Sequence, residues 1–296
     1  MSPQRRLLAS LLIAGGVTLL EVAGGILSNS LALLADAGHL ATDTLSIGLA
    51  LVAMRLATRP HTVESSYGYH RAEALAALVN GATLFLIAGY VFYEGYARLL
   101  HPPQVNGQIL LPVAVVGLVA NLLMVSLLRE GGRKSINVRA AFLHVLGDTL
   151  ATVGVIVGGV VIILTGLTVV DAVVASLIGV LILGGGFRVV RESLRIVLEQ
   201  APKEVRLKEL TSEMMKVDGV KSIHDVHVWS LTSGMNMMSC HVDVDEHLRD
   251  HEVLEALKEV ARKYDITHTT IQIEHREDHE DSVDVDFKRD KLDQTR

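Results

Sequence analysis

Cysteine is nearly absent. Cys240 stands alone among 296 residues, which excludes a disulfide framework and any thiol-rich metal cluster. Aromatic residues make up only 4% of the chain, with Trp229 the single tryptophan. No basic face interleaved with aromatics is present, so nucleic-acid binding is not expected. The hydrolytic pattern His-Glu-x-x-His is missing, and no Ser or Cys nucleophile is matched to a plausible His. Charge is thin over residues 1–200 and dense over 201–296, and the net charge of −6 comes largely from that second stretch. No clear small-residue cleavage site follows the first apolar stretch, so a cleavable signal peptide is not expected either.

What remains is apolar. Half of the chain is hydrophobic and its mean hydropathy is +0.39, with the long apolar runs confined to residues 1–200. Six runs approach the ~20 residues that a bilayer requires. They lie near 7–27, 31–55, 73–99, 109–128, 139–165 and 168–190. Basic residues alternate between the intervening loops. Arg5, Arg6, Arg55, Arg59, Arg71, Arg129, Arg133, Lys134, Arg139, Arg188, Arg191 and Arg195 fall on one side, and Arg98 falls on the other. The positive-inside rule then places both termini in the cytoplasm, which agrees with an even number of spans.

After Pro202 the pattern becomes that of a soluble domain. Residues 203–217 and 250–264 show helical spacing, while 222–232, 236–246 and 268–275 read as strands with Ser233-Gly234 as a turn. The order αββαβ predicts a small sheet with helices on one face. Residues 277–296 are charged and aperiodic and are expected to be disordered. The expected division is therefore a membrane domain over 1–200 and a cytoplasmic domain over 201–276.

One pattern occurs twice within the apolar runs. Residues 39–45 read His-Leu-Ala-Thr-Asp-Thr-Leu and residues 144–150 read His-Val-Leu-Gly-Asp-Thr-Leu. A spacing of four puts each His and Asp on one helix face. Ionisable groups at membrane depth are costly and point to function. Two imidazoles and two carboxylates suit a divalent cation such as Zn²⁺. His39, Asp43, His144 and Asp148 are thus expected to form one site, with Asp36 behind His39 as a supporting partner or a proton station. Glu21, Asn80, Glu94, Asn121 and Asp171 show no ligand pattern and are expected to form helix–helix hydrogen bonds. The glycines at 158–159 and 184–186 are expected to permit close helix approach or bending.

The run 28–39 (Ser-Asn-Ser-Leu-Ala-Leu-Leu-Ala-Asp-Ala-Gly-His) with Asp43 resembles the cation diffusion facilitator family. So do Tyr67-Gly68-Tyr69-His70-Arg71-Ala72-Glu73 and the second His-x-x-x-Asp. The resemblance covers residues ~5–275 and is closest to the family's bacterial zinc branch. It implies six transmembrane helices, a ferredoxin-like cytoplasmic domain, a homodimer, and zinc efflux coupled to proton entry. It also implies regulatory zinc at His224, His241, His251 and Glu274 where two cytoplasmic domains meet, with His268 a weaker candidate. Gln272 replaces a His that some relatives carry two residues before the final acid. Arg71 and Glu199 match a charge pair of the family. In the 55–72 loop, which holds His61, Glu64 and His70, Ser65 and Tyr69 occupy two positions where some relatives place histidines. A loop site is therefore not expected.

Strand alternation puts Asp225, His227 and Trp229 on the face opposite His224, with Trp229 in the core. No histidine-rich run separates the fourth and fifth spans, which favours a prokaryote and hence the inner membrane. Three other readings stay open: transport of Cd²⁺, Co²⁺, Ni²⁺ or Fe²⁺, a membrane metal sensor, and an intramembrane zinc enzyme. The enzyme would need an open coordination position and a general base. The sensor would not need four ligands at membrane depth.

Overall fold

The computed structural model describes residues 3–60, 62–129, 136–245 and 249–275, with side chains over 12–60, 62–126, 145–245 and 249–275. The expected disordered tail, together with His61, His247 and His279, lies outside the described residues. Six long helices come first: α1 (Pro3–Ser28), α2 (Leu31–Ala57), α3 (Ala72–Leu100), α4 (Gly107–Arg129), α5 (Ile136–Thr165) and α6 (Val169–Val197). Five of them hold a stretch long and apolar enough to cross a membrane, and α1 contributes the shorter apolar stretch Leu12–Ser28. The chain is a multi-pass membrane protein. Then follow α7 (Leu207–Met214), β1 (Val220–Thr232), β2 (Met235–Val244), α8 (Asp250–Lys263) and β3 (Ile266–Glu274).

The chain divides into two compact units. Met1–Val52 and Ala76–Arg191 form one, and Ala53–Leu75 and Glu192–Arg296 form the other. The first is built around a core of Leu31, Leu33 and Ala35 (α2), Leu84 and Val91 (α3), Leu110 (α4), Val155 (α5) and Ile178 and Ile182 (α6). Its outward residues are as apolar as its core, with Leu86 75% and Leu164 77% exposed. That inversion suits a lipid solvent, since only helices satisfy their own backbone groups there.

Capping holds the amino end of α2 in place. Asn29, at φ 55°, ends α1 in the left-handed region, and the Ser30 N–H turns back to Gly25 O at 3.0 Å. Asn tolerates this conformation better than most residues. Ser30 Oγ then accepts from Leu33 N at 3.1 Å and donates to Asp171 Oδ1 at 2.5 Å. Asp171, in the first turn of α6, also accepts from Leu31 N at 2.6 Å. Arg98 of α3 reaches the same place, with Nη1 3.8 Å from Asp171 Oδ2 and 2.7 Å from Asn29 O. Glu94 accepts from Arg98 Nε at 2.9 Å. Asp171 thus forms the helix–helix bonds expected of it, whereas Glu94 bonds within its own helix.

In the second unit, α7 and α8 cover one face of the sheet. Leu210, Met214, Val253 and Leu257 pack on Ile223, Val228, Met238, Cys240 and Val242. The strand order is β1-β2-β3, with β1 and β2 antiparallel and β2 and β3 parallel. Gly234, at φ 77°, makes the tight turn between β1 and β2. The strict alternation expected of β1 is interrupted by register slips near both ends of the strand and once within it. Asp225 takes φ 49° and the register slips between His224 and His227. An extra residue reverses the pleat phase beyond it. His224 pairs with His241, His227 with Ser239 and Trp229 with Met237, so His224, His227 and Trp229 share the face away from the helices. Trp229 is half-buried there and outside the core cluster.

Glycine sets the α3–α6 approach. A Cβ on Gly81 would stand 2.5 Å from Val190 Cγ2, and one on Gly186 would stand 3.1 Å from Leu84 Cβ. Gly158 and Gly159 are equally crowded, by Val174 and Leu110, whereas Gly184 and Gly185 face open space. Gly81→Ala is therefore expected to destabilise the detergent-solubilised chain by about 1–3 kcal/mol, because branched Val190 is stiff. Gly89→Ala, where nothing lies within 4 Å, should leave the thermal midpoint unchanged or slightly raised.

Candidate metal centres

The first centre lies in the first unit and follows from helix geometry. Positions 36, 39 and 43 of α2 fall on one face, and Asp148 arrives from α5. His39 Nε2 is 3.6 Å from Asp148 Oδ1 and 3.9 Å from Asp43 Oδ2. One ligand atom from each of His39, Asp43 and Asp148 lies within 4.8 Å of the others. That spread can contract onto one cation by small side-chain movements. His144 sits one helical turn before Asp148 on α5, but its side chain lies outside the described residues. Asp36 is fully buried, and its Oδ2 accepts from Thr152 Oγ1 at 2.9 Å. Asn121 Nδ2 on α4 donates to Thr152 Oγ1 at 3.1 Å.

A cavity of about 680 Å³ reaches His39 and Asp148 between α2, α5 and α6, with Arg188 in its wall. Gly147, Gly184 and Gly185 line it, and a Cβ on any of them would meet nothing within 4 Å. They widen the opening rather than tighten a helix contact.

The second centre lies on the sheet face away from α7 and α8. Strand pairing sets His224 beside His241 and brings Glu274 level with Asp243 on the next strand. His241 Nδ1 is 3.0 Å from Glu274 Oε1, and His224 Nε2 is 3.4 Å from Glu274 Oε2. The two rings meet edge to face at 5.3 Å. One ligand atom from each of His224, His241 and Glu274 lies within 4.8 Å of the others. Gln272 does not fill a ligand position. Its Nε2 donates to Glu274 Oε1 at 2.7 Å and holds that carboxylate in place. His251 stands exposed on α8 and does not join this trio within one chain. His268 is likewise exposed on β3 and apart from it.

Two acids that the sequence did not single out buttress this face. Asp243 Oδ2 lies 3.8 Å from His224 Nδ1 and accepts a hydrogen bond from Ser222 Oγ. Asp225, at the bulge, is 2.7 Å from His227 Nε2 and 3.7 Å from His241 Nε2. The only sequence signal for either was a position between or opposite histidines, and the bulge itself has no pattern. Cys240 is on the opposite, core face. Burial, reinforced by the negative charge of Asp225, pushes its thiol up to about 12, so it offers no thiolate at neutral pH.

Arg71 and Glu199, both in the second unit, are brought together: Arg71 Nη2 donates to Glu199 Oε1. Glu199 is held at φ 56° just past the end of α6. Thr232 at the end of β1 donates to Glu73 at the start of α3.

Comparison with known proteins agrees with this architecture. Residues 7–198 match the cation efflux transmembrane domain, and residues 202–276 match the cation efflux protein cytoplasmic domain. The chain is 42% identical over 273 residues to the metal cation efflux system protein CzcD of Cupriavidus metallidurans, covering 92% of this chain and 86% of that one. It is 38% identical to a cadmium, cobalt and zinc/H⁺-K⁺ antiporter of Bacillus subtilis, covering 90% and 88%. It is 39% identical to the zinc transporter ZitB of Escherichia coli, covering 93% and 88%. A solved metal-bound C-terminal domain of the CzcD transporter is 46% identical over 24% of this chain and 99% of its own, with a TM-score of 0.23.

If the sheet face holds zinc, His241→Ala in the full-length chain should lower the zinc bound at saturation by about one ion, since ligand atoms and metal are lost together. Asp243→Asn should weaken that ion about 10-fold, as loss of a ligand-orienting partner does. Cys240→Ala should change neither value. Equilibrium dialysis against Zn²⁺ reads all three.

Proposed function

The chain belongs to the cation efflux family, and from that premise we propose that it exports divalent cations, zinc foremost, from the cytoplasm in exchange for protons. The observation that carries this reading is the convergence of His39, Asp43 and Asp148 from two membrane-spanning helices. His144, one turn from Asp148, completes a four-ligand set of imidazole and carboxylate, which suits tetrahedral zinc. The cavity between α2, α5 and α6 supplies a route to that set, and Arg188 marks its basic, cytoplasmic end.

Exchange follows from ligand chemistry. A metal binds the deprotonated ligands, and protons arriving from the opposite side displace it. Alternating access of one site to the two sides converts that competition into coupled transport. Cadmium and cobalt, which the name of the Bacillus relative includes, fit the same donors. Transport rather than catalysis accounts for ligand sets both at membrane depth and on the cytoplasmic sheet.

The rest of the reading concerns regulation and place. His224, His241 and Glu274 hold a regulatory zinc ion, and His251 joins from the contact of two copies in a homodimer. Asp36 supports the membrane site, and the Arg71–Glu199 pair restrains the second unit. Both termini lie in the cytoplasm of a cell whose inner membrane carries the protein.

Reconstitution tests this directly. In proteoliposomes with a lumenal zinc reporter and an imposed pH gradient, the intact chain should show gradient-dependent Zn²⁺ flux. Asp43→Ala and Asp148→Ala should each reduce it to the level of empty vesicles, because each removes a charged ligand at membrane depth, where such groups are few. Well-folded intact chain that moves neither Zn²⁺, Cd²⁺, Co²⁺ nor Fe²⁺ would overturn the transport reading.

A further inference from the structure

Glu21 of α1 was expected to tie helices together by hydrogen bonds, and it does not. It is fully buried, yet neither carboxylate oxygen has a hydrogen-bond partner among the described residues. It forms no ion pair with any of them either. The placement is specific, because Gly117 of α4 leaves the space that the carboxyl fills. A Cβ at Gly117 would run into Glu21 Oε1.

The surroundings are short of hydrogens. Asn121, one turn along α4 from Gly117, spends an amide N–H on Thr152, whose hydroxyl serves Asp36 Oδ2. Asn121 Oδ1 and Asp36 Oδ1 are buried and, like both oxygens of Glu21, have no donor among the described residues. Acceptors outnumber donors in a space closed off by α1, α2, α4 and α5. A buried ionised carboxylate with no partner is among the costliest groups in an apolar medium. A proton on the carboxyl removes the charge and turns one acceptor into a donor.

The acids brought to this place are Asp36 on α2 and Asp148 on α5: Thr152, which bonds Asp36 Oδ2 and the Asp148 carbonyl, lies beside the same Gly117 position that Glu21 Oε1 crowds, and α4 adds Asn121 there. Both neighbours are acids, so each favours a neutral Glu21. A divalent cation bound through Asp148 reverses the sign of that influence. We infer that Glu21 binds a proton within the membrane domain and releases it when a divalent cation occupies the His39, Asp43 and Asp148 site. Metal and proton then exclude one another without sharing a ligand. The coupling half of this inference rests on the transport reading, whereas the proton site rests on the geometry of Glu21 alone.

Infrared difference spectroscopy of the full chain in lipid nanodiscs tests both halves. At neutral pH the intact chain should show the carbonyl band of an un-ionised carboxylic acid, shifted in D₂O and diminished on adding Zn²⁺. Glu21→Gln should lack that band yet bind zinc, and should release about one proton fewer per zinc. A band identical in the intact chain and Glu21→Gln overturns the proton site. If Glu21→Gln fails to fold, Glu21→Asp must move the band, and an unmoved band overturns the site equally. Normal zinc transport with a zinc-insensitive band sinks the coupling and leaves transport standing. A chain that binds no zinc sinks the transport reading and the coupling together, while a band lost in Glu21→Gln still upholds the proton site.

Discussion

Asp171 closes the amino end of α2, and the membrane site depends on that contact. A carboxylate from α6 accepts from Ser30 Oγ and the Leu31 N–H where the helix dipole is positive. Arg98 balances its charge from α3. The start of α2 is thereby held against α3 and α6, in a medium with no water to compensate for a lost bond. Asp36, His39 and Asp43 follow on the next turns of the same helix. Their position against Asp148 is a consequence of where α2 begins.

The same scarcity of partners explains the interior beyond the ligands. Lipid offers no hydrophobic drive for helices to associate, so small residues and polar contacts hold the bundle. Gly81 and Gly186 let α3 and α6 meet, and Gly117 makes room for the carboxyl of Glu21. Asn121 and Thr152 link α4 and α5 to Asp36. Thr152 also bonds the Asp148 carbonyl, so this polar seam runs up to the His39, Asp43 and Asp148 cluster.

The sheet-face cluster obeys different rules. There the core is ordinary hydrophobic packing on one face, which leaves the other free for ligands. Strand register sets His224 beside His241 and Glu274 one strand away, and Gln272 and Asp243 orient them. Much of this was legible beforehand: the six spans, the αββαβ order, the repeated His-x-x-x-Asp and the Arg71–Glu199 pair all follow from spacing or resemblance. The face of Trp229 was not, because alternation assumes an unbroken pleat and Asp225 breaks it. Nor was Glu21, since a buried acid that forms hydrogen bonds and one that forms none read alike in a sequence.

Local pattern settles what needs only neighbours along the chain. The length and hydropathy of a run decide that it crosses a bilayer, and a four-residue interval decides that His39 and Asp43 share a face. Tertiary structure decides whatever depends on what packs opposite. It sets the 3.6 Å approach of His39 to Asp148, keeps His251 apart from the sheet-face trio, and leaves Glu21 buried without a donor. These outcomes hinge on helix contacts, a strand bulge and the supply of hydrogens in a closed space, and none of them has a period that a sequence can display.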